Sequence, residues 1–371
     1  MSTYQDYFDN LHYSDQTKQK MKGWLVEHAR TTHINSAMDI LELKPKAKHH
    51  SFAAAAAIVF ALLIGTSGVA YATGNLGRAL TFIDTVFNGA PAETRVVEHI
   101  GRPLDAQVSD AGITVSAEAI IGDRSSYAVI YSLEKDDGTA FDTTTSTAPY
   151  LPYVMDNALQ TDDVALFARG ISGATGESYF FDENPDDNAI QYVEKYNLMS
   201  ENASASIVGA TVNTGFSGLL HEDDQGHMTP IAEGNWNLRF TLDYEDLSHK
   251  VPVAGEKFSL SQCEATITDM HISPLSLSFS YVADSPAYFD DEPSGKMSDS
   301  MAQESARLLD CGDIVVTMKD GSTIVQKDMG GGTIASDKST CQKNQFFDSI
   351  IDVDEVASIT IGGTCFEVSE S

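Results

Sequence analysis

The 21 residues Phe52–Ala72, FAAAAAIVFALLIGTSGVAYA, carry no charge and follow, after Ser51, the basic stretch KPKAKHH of residues 44–50. Such a run has no polar face to turn toward water, as an amphipathic soluble helix would. At about 1.5 Å per helical residue it reaches roughly 31 Å, close to a hydrocarbon core of about 30 Å. The sequence therefore predicts one membrane-spanning helix over residues 51–73. Lys44, Lys46 and Lys48 precede it, whereas Arg78 alone follows within twenty residues, so the N-terminus is expected inside. A cleaved leader is the competing reading, because Ala70-Tyr71-Ala72 has the small-x-small spacing of a signal-peptidase site. Fifty residues before the span make too long an n-region for that, and the apolar run exceeds the usual 7 to 15 residues of an h-region.

The span separates two charge environments. Of 23 basic and 54 acidic residues, seven and six lie in residues 1–50, which are nearly neutral; 16 and 48 lie beyond, a formal −32. A field of that sign repels phosphate backbones, which argues against nucleic-acid binding by the outer part. All four cysteines, Cys263, Cys311, Cys341 and Cys365, fall in the last third of the chain. That distribution suits an oxidising exterior, and two pairs are expected, Cys311 with Cys341 and Cys263 with Cys365. Four buried free thiols are the alternative.

Residues 1–50 hold more pattern than an anchor needs. Tyr4, Tyr7, Phe8 and Leu11 share one face of a short helix, and Met21, Trp24, Leu25 and His28 share a face of a second one that starts near Ser14-Asp15. Fifty residues make a poor independent core. The faces carried by Tyr7, Phe8, Leu11, Met21, Trp24 and Leu25 are therefore expected to dock on a cytoplasmic partner, with a membrane-proximal helical hairpin as the alternative. Residues 74–104 read as a juxtamembrane stalk.

Beyond the stalk the period changes to two. Ile113, Val115, Ala117, Ala119 and Ile121 lead through Gly122-Asp123 into Tyr127, Val129, Tyr131 and Leu133, and Trp236, Leu238, Phe240, Leu242 and Tyr244 form the clearest strand. The polar HKVPVAGEK of residues 249–257 reads as a linker. A second set of strands follows through Phe258, Leu260, Cys263, Ala265 and Ile267, then Leu275, Leu277, Phe279 and Tyr281, and Asp320-Gly321 marks a hairpin. The fold class expected is mainly β, with two antiparallel immunoglobulin-like sandwiches over residues 105–248 and 249–371. Sliding the chain by 150 residues lays Ala117 on Ile267, Ser126 on Ser276, Val129 on Phe279 and Tyr131 on Tyr281, so the two are either distant copies or two alternating patterns that agree by chance.

No catalytic pattern emerges. The outer histidines His99, His221, His227, His249 and His271 lack H-E-x-x-H spacing, and the cysteines lack C-x-x-C. Gly215-Phe216-Ser217-Gly218 and Gly170-Ile171-Ser172-Gly173 place the second glycine one position too early for a nucleophile elbow and read as loops. Acidic clusters offer the only hard oxygen ligands: Asp182, Glu183, Asp186 and Asp187 in one, and Asp290, Asp291 and Glu292 in the other. Either is a calcium candidate or a solvated loop, since neither follows the twelve-residue calcium-loop pattern. No cofactor and no enzymatic activity are expected.

LHYSDQTKQKMKGWL, the alanine-rich span, GITVSAEAIIGDRSSYAVIYSL and GNWNLRFTL together resemble domain-of-unknown-function family 4179 of Gram-positive bacteria, and ITDMHISPLSLSFSY resembles the immunoglobulin-like domain that often follows it. The resemblance implies an anti-sigma-like membrane regulator, with the inner helices holding a sigma factor and the outer sandwiches sensing the envelope. Residues 1–50 contain no cysteine, unlike zinc-type anti-sigma domains. The alternative is a surface-anchored, non-catalytic binding or structural protein whose sandwiches contact an extracellular ligand or a cell-wall component.

Overall fold

The computed structural model describes residue 96 and residues 100–368, apart from 143–149, 159–168, 183, 201–204, 224, 289–297 and 328–330. The expected inner helices, the Phe52–Ala72 span and most of the stalk lie outside the described residues. Among the described residues no helix is long and apolar enough to cross a membrane. What they form is mainly β, with all named pairings antiparallel.

Alternation of apolar and polar residues builds the first half. A five-stranded sheet runs in the order β1 (Gly101–Asp110), β2 (Ile113–Gly122), β3 (Ser126–Lys135), β6 (Ala189–Ser200) and β5 (Ile171–Phe181). A three-stranded sheet is ordered β4 (Tyr153–Ala158), β7 (Thr211–Glu222) and β8 (Met228–Thr241). Their inner faces share one core, to which Val129, Tyr131 and Tyr192 contribute from the first sheet and Phe216, Leu219 and Trp236 from the second. Phe216 stands edge-on to Tyr131, centroids 5.3 Å apart, a favoured aromatic geometry. The expected stalk boundary at residue 104 falls inside β1.

The second half repeats the scheme. One sheet runs β10 (Lys257–Ser259), β11 (Glu264–Ile272), β12 (Ser276–Ala283), β16 (Thr340–Phe346) and β15 (Thr333–Ile334). The short β9 (His249–Lys250) also pairs with β11, so the stretch expected to be a linker joins the sheet. The facing sheet is ordered β14 (Thr323–Gln326), β13 (Ile314–Met318), β17 (Val356–Ile361) and β18 (Thr364–Glu367). Phe279, Tyr281, Val316 and Ile359 lie in its core. Gly321 takes φ +86° in the β13–β14 turn, a conformation glycine adopts without steric cost. A helix, α1 (Asp299–Leu309), starts at Ser298, whose hydroxyl accepts from the Met301 N–H at 3.3 Å. It ends against the buried Lys343, whose Nζ donates to the Leu309 carbonyl at 2.5 Å and places a cation at the helix C-terminus.

The 150-residue offset has a structural counterpart. The β2–β3 pairing shifts register between Ala117 and Ala119, and the β11–β12 pairing shifts between Ile267 and Asp269. Asp123 N–H donates to the Ser126 carbonyl at 2.8 Å, and Ser273 N–H donates to the Ser276 carbonyl at 2.8 Å. Strand β6 pairs with β3 as β16 pairs with β12. A bulge is a specific backbone device, so its recurrence at the same place in two hairpins goes beyond the agreement of two alternating patterns.

Candidate functional site

The two corresponding turns, residues 122–126 and 272–276, meet within the compact unit of residues 90–371. Asp123 sits between them with no exposed surface. Its Oδ1 accepts from the N–H groups of Ser125 and Ser126 at 2.8 and 2.7 Å. Its Oδ2 accepts from the hydroxyls of Ser273 and Ser276 at 2.5 and 2.6 Å. The Ser126 hydroxyl donates to that of Ser276 at 3.2 Å, joining the two residues that the offset superposes. Asn344 extends the joint by donating to the carbonyls of Ser125 and Leu198, each at 3.1 Å. Burial pushes the Asp123 carboxyl above the usual carboxylate range, against the pull of the serine hydrogen bonds.

Packing behind Asp123 fixes the first turn. A Cβ on Gly122 would stand 2.1 Å from the Tyr244 ring, so only glycine fits there. The Tyr244 hydroxyl is buried and has no hydrogen-bond partner among the described residues, and burial pushes its ionisation well above the usual phenol range. A buried hydroxyl without a partner keeps its desolvation cost. Tyr244→Phe is therefore expected to leave stability unchanged or raise it by up to about 1 kcal/mol in urea denaturation. A loss larger than about 1 kcal/mol would show that an ordered water holds the hydroxyl.

Beside the joint lies a small groove, partly open to solvent, with walls from both halves. The first half contributes Arg124 and Ser200, and the second contributes Asp269, His271, Ser278 and Ser280. Strands β11 and β12 set the second wall: His271 lies opposite Ser278 and Asp269 opposite Ser280, so the four side chains share a sheet face. Asp269 is clamped from two sides, by Lys250 Nζ at 2.8 Å on Oδ1 and by His271 Nδ1 at 3.0 Å on Oδ2. Facing a carboxylate at that distance, Nδ1 is a nitrogen that carries a proton. Burial, then the Arg124 guanidinium, lowers the His271 imidazole below its ordinary value, while Asp269 opposes them.

The residues singled out in the sequence lie elsewhere. All four cysteines are free thiols, so neither expected pair is joined in this structure. Cys341 lies in β16 with its thiol pushed up to about 12, chiefly by burial. Cys311 is buried just beyond α1, Cys263 is partly buried between β10 and β11, and Cys365 is exposed on β18. In the first acidic loop, Asp182 accepts from the Asn184 N–H at 2.9 Å and Asp187 from the Ala189 N–H at 2.9 Å. Those carboxylates brace a turn, while Asp186 is exposed beside them. Among the described residues no three His, Cys, Asp or Glu side chains are placed to hold a metal. Glu183, Asp290, Asp291 and Glu292 lie outside the described residues, as do Tyr7, Phe8, Leu11, Met21, Trp24 and Leu25. The two Gly-x-Ser-Gly stretches, expected as loops, belong to strands: residues 215–218 are inside β7, and residues 171–173 open β5.

Sequence reasoning passed over the joint and the groove. His271 drew notice only for its lack of zinc spacing, and Asp123 only as a turn residue. The usable signal was the offset itself, which put Ser126 on Ser276, the hydroxyls that meet.

No protein-family model matches the chain, and no curated protein matches it. Among solved structures it is similar to the conserved domain protein from Bacillus anthracis, at 14% identity and a TM-score of 0.46, over 75% of this chain and 82% of that one. A likeness that distant carries no argument about function.

Proposed function

We propose that the chain is a non-catalytic, single-pass membrane regulator. In this reading residues 1–50 hold a sigma factor in the cytoplasm, Phe52–Ala72 crosses the membrane, and two immunoglobulin-like sandwiches outside it sense the envelope. The observation that carries the reading is the uncharged 21-residue run with three lysines shortly before it and a body of formal charge −32 after it. The paired apolar faces of the inner segment support the partner, because a segment of that size gains most of its burial by docking. The joint around Asp123 supports a sensor whose two halves respond together, with the groove beside it as the place for a ligand.

The test is capture of the full-length chain from host membranes, with retained proteins identified by mass spectrometry. One sigma factor should be retained. Trp24→Ala should weaken its retention by about 2 kcal/mol, roughly thirtyfold, as truncating a central aromatic anchor does. Capture without any sigma factor, or capture unaffected by Trp24→Ala and Leu25→Ala together, would move the assignment to the surface-anchored binding protein.

A further inference from the structure

The outer face of the sheet β14–β13–β17–β18 is almost free of charge. Ile314, Val316, Ile359 and Phe366 turn inward to the second core, so the residues that alternate with them turn outward. The pairing registers set these in two rows across the four strands. Val325, Val315, Thr360 and Cys365 form one row, and Thr323, Thr317, Ser358 and Glu367 form the other. Glu367, at a corner, is the one charged residue among them. Val325 is 53% exposed. Thr323, Cys365 and Glu367 are exposed as well, and the remaining four are half-buried. The Cys365 thiol is free and lies 3.9 Å from the Glu367 carboxylate of its own strand.

A chain of formal charge −31 repels its own copies through most of its surface. Two copies therefore approach most easily through a face with little charge, and a flat face of small side chains packs readily on another sheet. The rows are also self-complementary. A twofold axis lying in the interface along the first row sets Val325, Val315, Thr360 and Cys365 each against its own counterpart. It sets the second row against the positions two residues beyond the first, which are Lys327, Asp313, Gly362 and Gly363. Glu367 then meets Gly363, and Asp313 meets Thr317. No like charges are opposed.

We propose that two copies of the chain pair face to face through the outer face of β14–β13–β17–β18, with the row Val325–Val315–Thr360–Cys365 along the twofold axis. Area sets the strength. Four strands about 4.8 Å apart and about five residues long cover on the order of 300 Å², against about 800 Å² per partner in a stable complex. The pairing is therefore weak in dilute solution and is favoured where copies are confined to one surface, which raises their effective concentration. Disulfides bridge the two packed sheets of immunoglobulin domains, so the paired Cys365 thiols are within reach of one another. The regulator reading supplies the membrane that concentrates the copies, whereas pairing is scored without any sigma factor, so the two fail separately.

The experiment is oxidation of the full-length chain in host membranes with diamide, followed by non-reducing gel electrophoresis. One S–S bond forms between the two Cys365 thiols, and the azo group of diamide takes up their two protons and two electrons to become a hydrazine. A band at twice the 40.1 kDa chain should appear and should vanish on reduction. Cys365→Ser should abolish it, and Cys263→Ser should leave it in place. Exposed thiols also join by chance collision, and further variants separate that from pairing. Val325→Glu opposes two carboxylates on the axis and should slow crosslinking at least about tenfold. Ile231→Glu, on exposed β8, should leave the rate unchanged. In a Cys365→Ser background, Val325→Cys should restore the dimer, because that position also meets its own counterpart. Thr323→Cys in the same background is set against Lys327 and should crosslink at least about tenfold more slowly. A dimer that persists in Cys365→Ser, a native rate in Val325→Glu, equal rates for Val325→Cys and Thr323→Cys, or no dimer at all would overturn the proposal.

Discussion

Trp236→Ala should destabilise the first half of the β body by about 4–5 kcal/mol, near the upper end for loss of a buried aromatic. The indole has no exposed surface and lies in the core between the two sheets. Its Nε1–H donates to the Ile113 carbonyl at 2.9 Å, tying β8 to the start of β2. A Cβ on Gly234 would stand 2.6 Å from the ring, so backbone packs closely on one side and gives little room for collapse into a cavity. Truncation therefore combines lost burial, a large cavity and an unsatisfied carbonyl. Trp236→Phe separates these contributions: it keeps most of the volume, loses the hydrogen bond and should cost about half as much. Typical domains have only 5–15 kcal/mol in hand, so the alanine variant should unfold at markedly lower urea. Urea midpoints read by circular dichroism check both values. An alanine penalty below about 2 kcal/mol would mean that the two sheets are held together by other contacts.

Strand alternation was plain in the sequence because each sheet turns one face to a core. Residues 113–121 and 127–133 form β2 and β3 with the hairpin turn where Gly122-Asp123 predicts it. Other features were hidden for physical reasons. Helix α1 segregates its polar and apolar residues at helical spacing but buries only Leu308 and Leu309, so it is a short surface helix set among strands. The turn at residues 260–263 is marked only by the three-residue step from Leu260 to Cys263, within an alternation that otherwise runs from Phe258 to Ile267. Glu194 alternates with Tyr192 and Tyr196 and reads as an interruption of an apolar face. In the fold it is 1% exposed and accepts from both tyrosine hydroxyls at 3.2 Å. The groove was the least legible part. Ser278 and Ser280 sit on the strand face that alternation assigns to water, and only contact with the first half turns that face into a wall. Arg124 and His271 are brought together by the meeting of two turns, which no local spacing encodes.

Asp123→Ala should cost about 3–4 kcal/mol, concentrated at the joint between the two halves. The carboxyl group accepts four hydrogen bonds, two from backbone N–H groups of its own turn and two from serine hydroxyls across the joint. Alanine leaves these donors buried without an acceptor, and each unsatisfied group carries a desolvation cost. Asp123→Asn should be milder, about 1–2 kcal/mol, because Oδ1 still serves the two N–H groups. Its Nδ2 would face two donating hydroxyls, and Ser273 has little freedom to adapt, since its oxygen already accepts from the Leu275 and Ser276 N–H groups at 3.0 and 2.8 Å. The native carboxyl adds a dependence on pH that neither variant has. Burial raises its pKa in the folded state, so its contribution is complete below the ordinary aspartate value of about 4 and is lost as pH rises through the raised value. The Asp123→Asn penalty should therefore be larger at pH 5 than at pH 7, as the native protein gains stability on acidification that the amide cannot match. Urea midpoints of both proteins at the two pH values measure this difference directly. A penalty that stays constant, or that shrinks toward pH 5, would mean that the four donors outweigh burial and hold Asp123 ionised within the joint.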